Sequence, residues 1–218
     1  MRLQSAIFDL DGTLLDSMSM WQDLGVSLLD SFGVQADADL REKLKPMTLR
    51  QGAAYCRETY HLAATVEELV AVLEKRVDNF YHNEVQAKPG VKRFLSLLKM
   101  EGVWMYVATA TDRHLAEPAL RHAGIDGYFR GIVTSAEAGA GKESPEIYER
   151  AMRRLRSNKK DTVVFEDALH AIRTAKAAGF RVAAVYDPAA EAEQEEIRLL
   201  ADYYIRSFDE MFEATALE

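Results

Sequence analysis

Short apolar runs that stop at acidic or polar residues alternate, along much of this chain, with stretches whose apolar positions recur every three or four residues. The first run, LQSAIFD over 3–9, is rich in strand formers and is followed by Gly12, which predicts a buried strand ending at Asp9. Over 17–32, Trp21, Leu24, Leu28, Leu29 and Phe32 fall at helical spacing, and Gly33 closes an amphipathic helix. From Leu40 to Val85 the pattern stays helical, and Thr65 with Glu68 has the spacing of a capping box.

After Pro89-Gly90 the character changes. Helices over 91–100, 113–123, 145–156 and 169–178 alternate with strands over 103–109, 131–134, 162–165 and 181–185, and a terminal helical region follows. Such alternation predicts an α/β fold, a Rossmann-like doubly wound parallel sheet with helices on both faces. The all-helical stretch interrupts it after the first strand. Residues 1–16 and 86–218 are therefore assigned to the α/β core, and 17–85 to a small helical insert. The insert leaves the sheet at the carboxyl end of the first strand, where open α/β folds place their ligands.

Composition narrows the function. With 48% hydrophobic and 28% charged residues in 218, the chain can build a sizeable core. No apolar run is long enough to span a membrane, and the N-terminus does not read as a secretory signal, so a cytoplasmic protein is expected. Cys56 is the single cysteine, which excludes an internal disulfide and a Cys-rich metal site. A net charge of −8 disfavours a nucleic-acid surface, but it does not disfavour a small anionic substrate held by local cations and a metal ion.

Asp9-Leu10-Asp11-Gly12-Thr13 puts two carboxylates two residues apart where a buried strand ends. Residues i and i+2 of a strand share a face, so both can converge on one ligand, whereas an isolated Asp before Gly is usually an acidic turn or helix cap. Further chemistry-bearing residues stand at later strand ends or loops: Thr109 in YVATAT, Lys142 in AGKESPEIY, and Glu166-Asp167 in VVFEDALHAI. Gly139-Ala140-Gly141-Lys142 is not a nucleotide-binding P-loop. That motif needs glycine where Ala136 stands and Ser or Thr where Glu143 stands. The five histidines show no metal-ligand spacing.

These four motifs, in this order, resemble the signatures of the haloacid dehalogenase-like hydrolases across essentially the whole chain. The resemblance implies that Asp9 attacks phosphorus to form an aspartyl-phosphate, while Asp11 protonates the leaving oxygen and then activates water. It implies that Thr109 and Lys142 stabilise phosphoryl charge. Mg²⁺ would be held by the Asp9 side chain, the Asp11 carbonyl and Asp167, with Glu166 ligating directly or orienting a water. The insert resembles the helical cap of the subgroup that includes β-phosphoglucomutase and phosphoglycolate phosphatase. Lys45 and Arg50 in the insert, and Thr111, Asp112 and Arg113 beyond Thr109, are the candidate substrate contacts.

Departures from the family patterns separate neighbouring activities. Asp11 is generally lacking in haloacid dehalogenases and phosphonatases. The mutases carry His where Trp21 stands and Lys-Asn where Asp112-Arg113 stand. Glu143 replaces a common proline, and Ala168 and Ala171 replace a common Ser and Gly. The expectation is a Mg²⁺-dependent phosphatase of a small phosphorylated metabolite, with a phosphohexose mutase or a catalytically idle phospho-ligand binder as alternatives.

Overall fold

The computed structural model describes residues 3–44 and 47–210, and the chain divides into two compact units, Met1–Asp16 with Val85–Glu218 and Ser17–Glu84. In the first unit, strands β1 (Ser5–Phe8), β2 (Trp104–Thr109), β3 (Ile132–Thr134), β4 (Thr162–Glu166), β5 (Arg181–Val185) and β6 (Tyr203–Ile205) form one sheet in the order β3-β2-β1-β4-β5-β6. Every pairing is parallel. The expected doubly wound sheet is present. One segment differs from expectation, because the region read as terminally helical contains β6, an edge strand paired with β5. Its three residues are too few to register a strand period against the apolar helical spacing that precedes them.

Alternation along β1 and β4 assigns the two faces. Ile7 and Val164 are paired in register and belong to one buried cluster with Ile147, Tyr148, Ala151, Leu169 and Ile172. The last five come from α8 (Glu146–Arg154) and α9 (Leu169–Ala177). Phe8 and Phe165, next in the same register, point the other way. Their rings stack at 4.3 Å and meet Phe94 of α5 (Val91–Met100) edge-on. Each such side chain contributes about 1.5–3 kcal/mol on full burial, so the sheet is fixed from both sides at its centre. By the same parity, position 9 after Ile7 and position 166 after Val164 fall on the α8 side.

The second unit is helical: α1 (Met18–Ser31), α2 (Leu40–Leu44), α3 (Leu49–Thr59) and α4 (Val66–Asn83). The helix α1 packs on the other three, and a Cβ at Gly25 would run into the Leu44 side chain of α2 where the two helices meet. The Thr65 capping box forms, with Glu68 N donating to Thr65 Oγ1 at 3.2 Å and Thr65 N donating to Glu68 Oε2 at 2.8 Å. No described helix is long and apolar enough to cross a membrane.

Candidate active site

β1 delivers Asp9 to the carboxyl edge of the sheet, where its N–H donates to the Phe165 carbonyl at 2.9 Å. The chain then turns tightly. Leu14 and Leu15 N–H both donate to the Leu10 carbonyl, and Gly12 takes φ 78°, a left-handed conformation that a side chain would strain. The turn buries Thr13 completely, and its hydroxyl donates to Asp167 Oδ1 at 2.8 Å. Loops at the ends of β1 and β4 are thereby tied together.

Asp9, Glu166 and Asp167 are all buried, and one carboxylate oxygen from each lies within 4.8 Å of the others. The Lys142 ammonium enters this cluster from the loop before α8 and contacts both Asp9 Oδ1 and Glu166 Oε1. Glu166 is saturated with donors. Tyr148 O–H donates to Oε1 at 2.9 Å, and the backbone N–H groups of Asp167 and Ala168 reach Oε2 at 3.1 and 3.4 Å. A carboxylate offers about four acceptor positions, so Glu166 has little capacity left.

Three carboxylates against one ammonium leave the cluster with surplus negative charge, and the electrostatics reflect it. Burial, opposed by Lys142, holds the Asp9 carboxyl well above its usual range. Asp167 is raised to about 7 by burial and the Glu166 charge, against the Thr13 hydrogen bond and the charges of Lys142 and Lys88. For Lys142, burial favours loss of the proton, but the Asp9 and Glu166 charges outweigh it and the ammonium is retained. A set of hard oxygen donors with excess negative charge and raised proton affinity fits a divalent cation of the Mg²⁺ kind.

The other sequence candidates are distributed unevenly. Thr109 is buried at the end of β2, and its hydroxyl accepts from Thr111 N–H at 3.0 Å. Thr111 Oγ1 donates to Asp11 Oδ2 at 2.5 Å, which brings this pair together with the first motif. Asp112 is the N-cap residue of α6 (Arg113–His122). Arg113 is committed elsewhere: it clasps Glu137 with two nitrogens at 2.5 and 2.9 Å, and it donates to Glu117 and the Ile132 carbonyl. Arg50, in the helical unit, pairs with Glu67 in solvent, and Lys45 lies outside the described residues.

Thr13, Tyr148 and Lys88 stand outside the candidates to which the sequence motifs point. Lys88 is nearly buried and pairs with Asp187 Oδ2 at 2.7 Å, while also donating to the Tyr186 carbonyl. Tyr148 reaches Glu166 from a different element, so no local pattern implies that contact. No such pattern marks the pairing of Lys88 with Asp187 across the fold either.

A parallel α/β sheet whose central strand ends carry a buried acidic cluster around one lysine has its candidate ligand site at the sheet's carboxyl edge. The chain belongs to the haloacid dehalogenase-like hydrolase family, whose model matches residues 6–185. It is 26% identical to a phosphorylated carbohydrates phosphatase of Thermotoga maritima, over 81% of this chain and 82% of that protein. It is also 26% identical to hexitol phosphatase B of Escherichia coli, over 96% and 95%. Among solved structures, a Thermotoga maritima protein provisionally called a β-phosphoglucomutase superposes with TM-score 0.86 at 22% identity, covering 99% of this chain and 100% of that one.

Proposed function

We propose that the protein is a Mg²⁺-dependent phosphomonoesterase that hydrolyses a small phosphorylated metabolite, a phosphosugar or sugar-alcohol phosphate, through Asp9. The observation that carries this reading is the Lys142 ammonium held between Asp9 and Glu166 inside a buried carboxylate cluster. The phosphatases among the relatives, which include those of phosphorylated carbohydrates and hexitols, support the substrate class.

Asp9 and Asp167, with the Asp11 carbonyl, would hold the metal, since the Glu166 oxygens are already engaged. Bound there, Mg²⁺ would neutralise phosphoryl charge and lower the proton affinity of the aspartates. Asp9 then presents an ionised oxygen to phosphorus, and the bond to the leaving oxygen breaks as the bond to Asp9 forms. Asp11, steadied by Thr111, gives its proton to the departing alkoxide and takes one back from the water that hydrolyses the aspartyl-phosphate. Lys142 offsets charge on Asp9 and on the phosphoryl oxygens, and the Thr109 hydroxyl donates to one of those oxygens.

Phosphate release should be followed across phosphosugars, hexitol phosphates, phosphoglycolate and nucleotides, with Mg²⁺ and then with EDTA. Metal-dependent release that disappears in a folded Asp9→Asn variant supports the reading. Release unaffected by EDTA or by Asp9→Asn contradicts it, and hexose 1-phosphate isomerisation outrunning release would instead make the protein a mutase.

A further inference from the structure

Tyr148 is fully buried in the apolar cluster with Ile7 and Val164, and its ring meets Phe180 edge-on at 6.3 Å. A phenylalanine would fill nearly the same space without bringing a hydroxyl into the core, where an unpaired O–H is costly. The Tyr148 hydroxyl donates to Glu166 Oε1, the same oxygen that Lys142 contacts. Glu166 is thus pinned from below by a phenol and from its flank by two backbone N–H groups, and the ammonium sits between it and Asp9.

Two carboxylates share one ammonium, so the position of Lys142 depends on how strongly each pulls. A charge-assisted hydrogen bond from Tyr148 takes up part of the Glu166 charge and fixes its rotamer, which leaves the ammonium shared with Asp9 instead of drawn wholly to Glu166. Because α8 carries Tyr148 four positions after Ser144 and six after Lys142, the same segment supplies both the lysine and the group that steadies the lysine's anchor.

We propose that Tyr148 is a positioning residue of this site: its O–H holds Glu166 so that Glu166 presents the Lys142 ammonium to Asp9. This rests on the hydrolase reading for its kinetic consequence, but its geometric part can be read without turnover.

The test is Tyr148→Phe in the full chain, with Phe180→Leu as the comparison that disturbs packing around the ring and leaves the hydroxyl in place. Two readouts are taken: Mg²⁺-dependent hydrolysis of p-nitrophenyl phosphate, and the ¹⁵N-edited signal of the lysine ammonium groups, with Lys142 assigned by Lys142→Arg. Loss of one hydrogen bond to a charged group should lower kcat about tenfold or more in Tyr148→Phe while KM stays within about twofold. The Lys142 signal should shift or broaden. Phe180→Leu should lower Tm and leave kcat and the Lys142 signal as in wild type. A wild-type kcat with an unmoved Lys142 signal in Tyr148→Phe overturns the proposal, as does equal loss of kcat in both variants. If the wild type fails to hydrolyse the ester and the Lys142 signal still moves in Tyr148→Phe, the hydrolase reading fails and the positioning contact stands.

Discussion

Removing divalent cations at rising pH should destabilise the protein through Asp167. Burial and the Glu166 charge raise this carboxyl from its ordinary 3.8 to about 7, so the folded protein binds the proton more tightly than the unfolded chain does. Stability from this group is therefore fully present below the unfolded pKa and is lost as pH climbs through the folded one. The interval of about three pH units corresponds to roughly 4 kcal/mol at 1.36 kcal/mol per unit. That is a large share of the 5–15 kcal/mol typical of a whole domain. Asp167→Asn supplies a neutral side chain of the same shape. Urea unfolding in EDTA, followed by far-UV circular dichroism from about pH 5 to 8, should show wild type losing about 1 kcal/mol per pH unit relative to Asp167→Asn up to pH 7. Mg²⁺ should restore wild type above that pH, because the cation replaces the proton, and should do little for the variant. Parallel stabilities across the range would refute the argument from burial.

Lys142→Met leaves the Asp9 and Glu166 carboxylates without their shared counter-charge and should cost about 3–5 kcal/mol in metal-free protein, read as a lowered urea midpoint. Thr13→Val removes the hydroxyl that holds Asp167 and should weaken Mg²⁺ binding by about 1–3 kcal/mol in calorimetric titration, with no change in secondary structure. Gly90→Ala should lower Tm by several degrees. Its Cβ would lie 2.5 Å from Asp209 N at φ 79°, so both the contact and the backbone are strained.

Much of the sheet was legible because its central strands are short apolar runs ending at charged residues, as at Asp9 and Glu166-Asp167. A buried strand that stops at a carboxylate leaves a mark in sequence. β6 left none, since Tyr203–Ile205 is a short edge whose pairing with β5 is decided by tertiary contact. In the site, Asp9, Lys142 and Asp167 were visible as residue types in motifs, and the structure brings them into one cluster. What stood apart was the support. Thr13 reaches Asp167 across 154 positions, and Tyr148 serves Glu166 from a different element; neither partner is implied by local pattern. Arg113 shows the converse. It stands beside the Thr109 motif, yet Glu137 lies close enough to take its guanidinium in a two-pronged ion pair.

If phosphate passes through the Asp9 carboxylate, that carboxylate can be trapped during turnover. The protein is mixed with Mg²⁺ and a phosphomonoester that it turns over, quenched during turnover, and treated with borohydride, which reduces an acyl phosphate to an alcohol. Peptide mass spectrometry should then find homoserine at position 9 in wild type and none when substrate is omitted. Turnover with position 9 still aspartate, or homoserine at another carboxylate, would contradict the account.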